Sequence, residues 1–431
     1  MLSLMFTAAA AAALPVPSPV RLKADVTALV GFGTRHSLSS ATDPRRGIGA
    51  ARAWAAQMFE RISKDCGDCI AVERFGGRFT GERAPDGVEV INVIGFQKGR
   101  DANRVVIVGA HIDSRVTDVM NFTADAPGAN DDASGVALVL EAARLLSKQR
   151  FDASIVYAIF SGEEQGMWGG QLLAETARQR GWHVTAMLDN DIVGNSIGQD
   201  GVHDAKRVRV FSEGIRASED LHQQMARRAE GGEDDGPSRA LAKAIDDVAA
   251  GLSDDFDIVL DRRPDRYGRG GDHEPFLKLG YPAVRFTVGA ENWDRQHQDL
   301  RTANGVVYGD TIDAMDFDYR AKVTAINVAT IARLASAPAA PADVFIEGAL
   351  SRDTKVEWKP VAGAAAYRVH YRLNEGQKWT AARDVPATSI VLRQVPIDDY
   401  LFGVSALSED GAESLVTAAT RQPGGRKAAK R

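Results

Sequence analysis

Cysteine is scarce. Only two occur in 431 residues, too few for a disulfide scaffold or for a structural zinc site built from four thiolates. Positive charge is also in deficit: Lys and Arg number 52 against 58 Asp and Glu, a net charge of −6. That balance argues against a nucleic-acid partner gripped by a basic surface. Beyond the N-terminus no apolar run reaches the roughly 18 residues needed to cross a bilayer, so no membrane span is expected. What remains is an ordinary globular composition, long enough for two or three domains.

The ends read differently from the body. Residues 1–16 (MLSLMFTAAAAAALPV) are apolar and alanine-rich and stop at Pro15 and Pro17. They look like the core and cleavage region of a secretory signal over residues 1–20, although the basic opening segment is missing. A frayed terminus is the other reading. With a signal, the protein is expected to be exported, periplasmic or secreted. Cys66 and Cys69, in CGDC, suit an exported chain as a local staple, or are two free thiols. A redox motif would follow a strand and open a helix. Here helix-like Ile48–Ile62 precedes it and strand-like Ile70–Phe75 follows, so redox catalysis is not the reading adopted.

From Arg104 short apolar runs alternate with helical segments. Arg104–Ala110 and Ser154–Phe160 read as buried strands, Ser134–Ser147 as a helix, then a helix near Gly170–Gly181 and a strand over Ala186–Val193. This alternation predicts an α/β fold, with helices packed on a mostly parallel sheet over residues 21–335. Residues 195–265 carry scattered charge and read as an insertion or lid over the sheet. Residues 336–342 read as a Pro/Ala linker. Across 343–422, Lys355–Trp358, Ala366–Tyr371, Ser389–Leu392 and Tyr400–Leu407 read as short alternating strands of a small β-sandwich. Trp358 and the Tyr367/Val369/Tyr371 alternation resemble the fibronectin type III pattern. Residues 423–431 form a basic tail, expected to be solvated.

The chemistry lies in segments that put a metal-type ligand at a strand end or a sharp turn. His111 and Asp113 follow the first strand as AHIDS, and Asp131 and Asp132 sit in PGANDDASG before a helix. Glu163 and Glu164 follow the next strand as SGEEQG, Asp191 lies in LDNDIVGN, and His297 in RQHQDLRT. Each alone has an ordinary structural explanation. Paired Asp before a helix, for example, is first an N-cap and a partner for the helix dipole. Together they can converge, because open α/β sheets bind ligands at the carboxyl ends of their strands. Two histidines and three carboxylates are what a pair of zinc ions sharing one carboxylate would take. A further carboxylate is then needed as general base. Asp113, two residues past His111, is the expected acceptor for the other ring N–H of that histidine.

At these motifs the sequence resembles the di-zinc aminopeptidase family of aminopeptidase Y, bacterial leucyl aminopeptidase and glutamate carboxypeptidase II. The likeness covers about residues 100–330 and rests on HID, PGANDDASG, SGEE, DIVG and the late histidine. It implies a mixed, mostly parallel sheet sandwiched by helices, with two zinc ions as cofactors and peptides as substrates. By that likeness His111 and Asp191 would be terminal ligands of one zinc, Glu164 and His297 of the other, and Asp131 would bridge them. Glu163 would be the catalytic base, and the peptide bond between Asp131 and Asp132 would be cis. Asp191 is preferred to Asp189 because Asp-Ile-Val-Gly matches the family pattern there. His273, in GGDHEPF, matches a family histidine that lines the substrate pocket without holding metal, with Gly271 where the family has Ser. Tyr267 is a candidate for orienting the tetrahedral intermediate, at a slightly different offset from the family tyrosine.

The implied reaction is hydrolysis of the N-terminal peptide bond, an aminopeptidase. Three other readings stay open. A carboxypeptidase or amidohydrolase could use the same zincs, and Arg262, Arg263, Arg266 and Arg269 would suit a substrate carboxylate. A glutaminyl cyclase would need only one zinc. A binding homologue without catalysis would be expected to have lost ligands or the base, and none is missing here.

Overall fold

The computed structural model describes residues 15–422. The expected signal segment falls mostly outside these residues, and the basic tail wholly so. Helices α1 (Pro19–Val30) and α2 (Ile48–Asp65) precede three strands, β1 (Ile70–Gly81), β2 (Ala84–Gln97) and β3 (Asp101–His111). Cys66 and Cys69 form a disulfide at the turn between α2 and β1, the staple rather than the free thiols. Then come α3 (Ala133–Leu146), β4 (Ala153–Phe160), the single turn α4 (Glu163–Gly166), α5 (Trp168–Gln179) and β5 (His183–Asn190). The stretch after it holds β6 (Arg207–Phe211), α6 (Leu221–Ala229), α7 (Pro237–Leu252), β7 (Asp257–Asp261), α8 (Glu274–Lys278) and β8 (Ala283–Val288). A short hairpin, β9 (Arg301–Ala303) and β10 (Val306–Tyr308), leads to the long α9 (Phe317–Ser336).

Eight strands form one sheet in the order β1-β2-β4-β3-β5-β8-β6-β7. The central run β4-β3-β5-β8 is parallel, while β2 joins β4, and β6 joins β8, antiparallel. The sheet is therefore mixed and mostly parallel, as expected. β4 is buried end to end and β3 from Arg104 onward, because helices cover both faces. Val106 and Val108 face α1, α2, α3 and α9, while Val105 and Ile107 face α5 and α8. This alternation is the two-residue period of a strand. The four parallel strands end along one edge, which places the residues after His111, Phe160, Asn190 and Val288 side by side. Among the described residues no helix is long and apolar enough to cross a membrane.

The 195–265 stretch is not a lid. It supplies β6 and β7 to the sheet and packs Leu241 and Ile245 of α7 into the core. The sequence RVRVF disguises β6: Val208 and Val210 are buried, while Arg207 and Arg209 meet solvent or rim partners. The supposed linker is not free either. Ala337 is fully buried and its carbonyl accepts a hydrogen bond from Arg104.

The C-terminal strands are β11 (Phe345–Glu347), β12 (Thr354–Glu357), β13 (Ala366–Leu373), β14 (Ala381–Val385), β15 (Ser389–Leu392), β16 (Tyr400–Leu407), β17 (Thr417–Ala418) and β18 (Thr420–Arg421). They make two four-stranded sheets, β15-β12-β11-β18 and β14-β13-β16-β17, around Val356, Trp358, Tyr367, Val369 and Phe402. These sheets are docked on the larger body by buried charge. Arg372 of β13 meets Asp235, just before α7, at 2.6 Å, both nearly fully buried.

Glu413 is the second anchor. It accepts from His370 at 2.8 Å, Ser405 at 2.6 Å and Arg368 at 3.0 Å, with Arg333 of α9 at 3.5 Å. Burial alone would raise its pKa, but His370 first and then Ser405 and Arg333 outweigh it and hold the carboxyl at about 2. The folded value lies below the ordinary 4.5. The stabilisation is therefore complete above that value and fades as pH falls through about 2. Glu413→Gln is expected to remove about 2 kcal/mol near neutral pH and less in acid. Urea unfolding midpoints of both proteins, followed from neutral to about pH 3, would converge; a constant gap contradicts this account.

Candidate metal centre

His111 is the last residue of β3, and its ring enters the cluster because the strand stops there. Its Nδ1 lies 3.0 Å from the backbone carbonyl of Asp113, whereas the Asp113 carboxylate is 3.8 Å away. The expected role of Asp113 is therefore corrected: its carbonyl, not its carboxylate, orients His111. The carboxylate accepts from the backbone N–H of Gly162 (2.9 Å), Glu163 (3.3 Å) and Glu164 (3.1 Å), and from Ser37. An acceptor for three successive amides fixes the turn that presents both glutamates, so Asp113 positions them without facing the cluster itself. Gly162 makes this turn possible at φ +77°.

Asp131 and Asp132 share a cis peptide bond. Asp132 caps α3, accepting from Gly135 N–H at 2.8 Å and, with its other oxygen, from His111 N–H at 3.2 Å. A Cβ at Gly135 would lie 2.0 Å from the Asn190 carbonyl, so the glycine of DDASG lets α3 start against the end of β5. With Asp132 occupied by the helix, Asp131 is left facing the cluster.

There its two oxygens divide. Oδ1 lies 3.2 Å from His111 Nε2, and Oδ2 lies 2.8 Å from His297 Nε2. Asp191 Oδ2 is 3.7 Å from His111 Nε2, and Glu164 Oε1 is 3.0 Å from His297 Nε2. The result is two groups with metal-type ligand atoms within 4.8 Å of one another, His111–Asp131–Asp191 and Asp131–Glu164–His297, with Asp131 in both. His111 Nε2, Glu164 Oε1 and Asp191 Oδ1 are buried without a hydrogen-bond partner. Buried polar atoms are rarely left so, and converging lone pairs of nitrogen and oxygen fit a divalent cation in each group.

Electrostatics agree with that fit. Burial opposes charge on His297, yet Glu164 and Asp131 push its pKa up to about 9. Burial would likewise raise Asp131, but His297 and His111 hold it well below the usual carboxylate range. A field that attracts protons to two imidazoles attracts divalent cations equally, and the two compete. Glu163 belongs to neither group. Burial pushes its carboxyl up, Glu164 and Asp191 add to this, and His111 and Arg285 oppose it.

Asp189 points away from this cluster. It holds His273 Nδ1 at 3.3 Å, while His273 Nε2 lies 2.7 Å from the Pro264 carbonyl. His273 is fully buried, so both ring nitrogens are spent on the protein and the expected pocket-lining role is corrected to internal bracing. Tyr267 is 90% exposed, outside both ligand groups.

Four contributors were not anticipated. Arg285, inside β8, lies 2.5 Å from Asp191 and 2.7 Å from Asp265. Arg115 donates to Glu164 at 2.8 Å and lies 2.6 Å from His297 Nδ1. Gln296 donates to Asp131 at 3.1 Å. Asp310 accepts from Asn130 and Asp131 N–H at 2.9 and 2.7 Å. Burial pushes its carboxyl up to about 7 against those two bonds. The one legible signal was Arg285, a charge in the middle of the apolar run AVRFTV.

Residues 92–316 match the sequence profile of peptidase family M28. A probable zinc metalloprotease of Leptosphaeria maculans is 41% identical over 402 residues, spanning 92% of this chain and 93% of that protein. Among solved structures, a leucine aminopeptidase precursor of Bacteroides thetaiotaomicron superposes with a TM-score of 0.51 at 17% identity, covering 74% of this chain and 99% of that one. The glutaminyl cyclase of Porphyromonas gingivalis does so with 0.51 at 18%, covering 73% and 98%. These two likenesses are of fold, and one fold serves both activities.

Proposed function

This chain belongs to peptidase family M28, and from that premise we propose that it is a zinc-dependent exopeptidase, an aminopeptidase that uses two zinc ions. The observation that carries this reading is the double use of Asp131, whose two oxygens reach one histidine each. His111 and Asp191 would hold one ion, Glu164 and His297 the other, and Asp131 both. Bound zinc would supply Lewis acidity toward the scissile carbonyl and a lowered pKa for water.

The remaining work falls to the chain. Glu163, half-buried and outside both ligand groups, takes a proton from the attacking water and returns it to the leaving amine. Asp113 keeps the Glu163–Glu164 turn in place, so the base and one ligand move as a unit. Arg115 and Arg285 each brace a terminal carboxylate ligand. A second paired donor group argues against the one-metal cyclase reading. Export and a fibronectin type III-like nature of the C-terminal sheets complete the proposal, the first supported by the Cys66–Cys69 disulfide.

The test is metal content together with hydrolysis of aminoacyl-anilides, each beside its N-acetylated control. Two zincs per chain and cleavage of free-amine substrates alone are expected. Cleavage of blocked or C-terminal glutamate substrates would replace the aminopeptidase by a carboxypeptidase or amidohydrolase. No zinc and no turnover would leave a binding protein.

A further inference from the structure

Arg239 is in an unusual position. It lies in the first turn of α7, where the helix dipole disfavours a cation. Its side chain is only 7% exposed. Among the described residues it makes no hydrogen bond and no ion pair, and its Nε is buried without a partner. Nε alone is shut off from water, so the terminal nitrogens open onto the surface, and Asp234 and Glu213 favour the charge from beyond ion-pair distance. Arg372, more deeply buried, is paired with Asp235.

Arg239 lines a cleft of about 710 Å³ between the peptidase body and the C-terminal sheets, whose far wall includes Asn374, Gly376 and Leu401. Arg262 and Arg263 line the same cleft. Arg262 is paired with Asp234 at 2.7 Å, whereas Arg263 is exposed and has no ion pair among the described residues. The wall has three acidic members: Glu233 and Glu375 are exposed at the rim, and half-buried Asp234 is taken up by Arg262 at 2.7 Å and Lys243 at 3.9 Å. Arg239 is therefore the buried charge of this wall that has no ion pair, with exposed Arg263 beside it also unpaired.

The cleft also connects to the metal-type cluster. Arg262 and Arg263 line a neighbouring groove of about 520 Å³ with Arg266, Arg269 and Trp293. Arg269 donates to Gln296 at 3.2 Å, and Gln296 donates to Asp131. The two hollows thus share Arg262 and Arg263, and a peptide held at the cluster would have this groove, with Trp293 and Arg263, between it and Arg239.

We propose that this cleft binds the carboxylates of an acidic peptide, with Arg239 and Arg263 as their partners, so that the C-terminal sheets complete a substrate-binding surface. The proposal rests on the exopeptidase reading and adds the substrate class: peptides acidic downstream of the cleaved bond.

The test uses the full-length, zinc-loaded protein. Peptides sharing one N-terminal residue carry glutamate-rich or glutamine-rich tails of equal length, and the matching aminoacyl-anilide is the short control. The glutamate tail is expected to lower KM about tenfold, one charge-assisted contact's worth. Arg263→Gln and Arg239→Gln should each abolish that preference and leave the anilide rate unchanged. Because Arg263 is exposed, its variant folds even if the Arg239 variant does not. Binding of a fluorescent, N-acetylated glutamate-rich peptide, read by anisotropy, should weaken in parallel. If wild type cleaves both tails equally well, the proposal falls. If inorganic sulfate displaces the labelled peptide at equal concentration, the site is one for small anions and the peptide assignment falls. Should the anilides resist cleavage while the labelled peptide still binds through these arginines, the aminopeptidase reading fails and the acidic-peptide site stands.

Discussion

Glu163→Gln is expected to keep its full metal content and to lose a factor of about 10²–10⁴ in kcat, the usual range for a positioned acid–base group. Two features of the site separate these readouts. Glu163 is in neither ligand group, so an isosteric amide leaves both donor sets untouched. Its backbone N–H is held by Asp113, so the turn carrying Glu164 should not move. The amide cannot accept the proton that a carboxylate accepts, and only proton transfer should suffer. Metal analysis and kcat on one preparation decide the matter: near-normal turnover would remove Glu163 as the base. Loss of metal would instead make it a ligand.

Asp131→Ala should behave in the opposite way, losing metal first and activity as a consequence. One side chain serves both groups, and its two oxygens approach His111 Nε2 and His297 Nε2 separately. Its removal takes one donor from each group, which is left with one histidine and one carboxylate. Zinc affinity should fall enough that dialysed protein retains little metal and turnover drops below detection. Thermal stability gives an independent measure, because a ligand that binds only the folded state raises the melting temperature by mass action. Wild type should gain stability on zinc addition, and Asp131→Ala should gain little. Full zinc occupancy in the variant would end the bridging role.

Much of this centre was legible before any fold was known. HID, DDASG, SGEE and DIVG name residues whose chemistry is that of metal ligands. Asp191 could be preferred to Asp189 on motif alone, and the geometry places Asp191 with His111 and Asp189 with His273. The edge of the sheet was harder. β6 and β7 are five residues each, β6 with arginines at alternate positions and β7 with an aspartate at each end, so short-range hydropathy reads them as solvated loop. His273 misled for a different reason: GGDHEPF resembles a family segment whose histidine lines the substrate pocket. Only packing reveals that a carbonyl and a carboxylate already use both of its nitrogens.

The residues missed altogether depend on distance along the chain. Arg115 meets His297 across 182 positions, and Asp310 meets Asp131 across 179. No local pattern marks either partner. Asp113 is the subtler case, since its spacing from His111 was read correctly but the atom was not. Which oxygen of Asp113 faces the ring depends on where the Gly162–Glu164 amides lie, and these come from another strand.

The sequence by itself determined the class of fold, the ligand types and their order, because strand periodicity and side-chain chemistry are local properties. Only the tertiary structure decided that one oxygen of Asp131 meets His111 and the other His297, that Arg239 stands without an ion pair among the described residues, and that the C-terminal sheets wall a cleft beside it. Each of those depends on which groups, remote in sequence, share a space closed to water. There an unpaired charge or an unused lone pair is costly enough to have meaning.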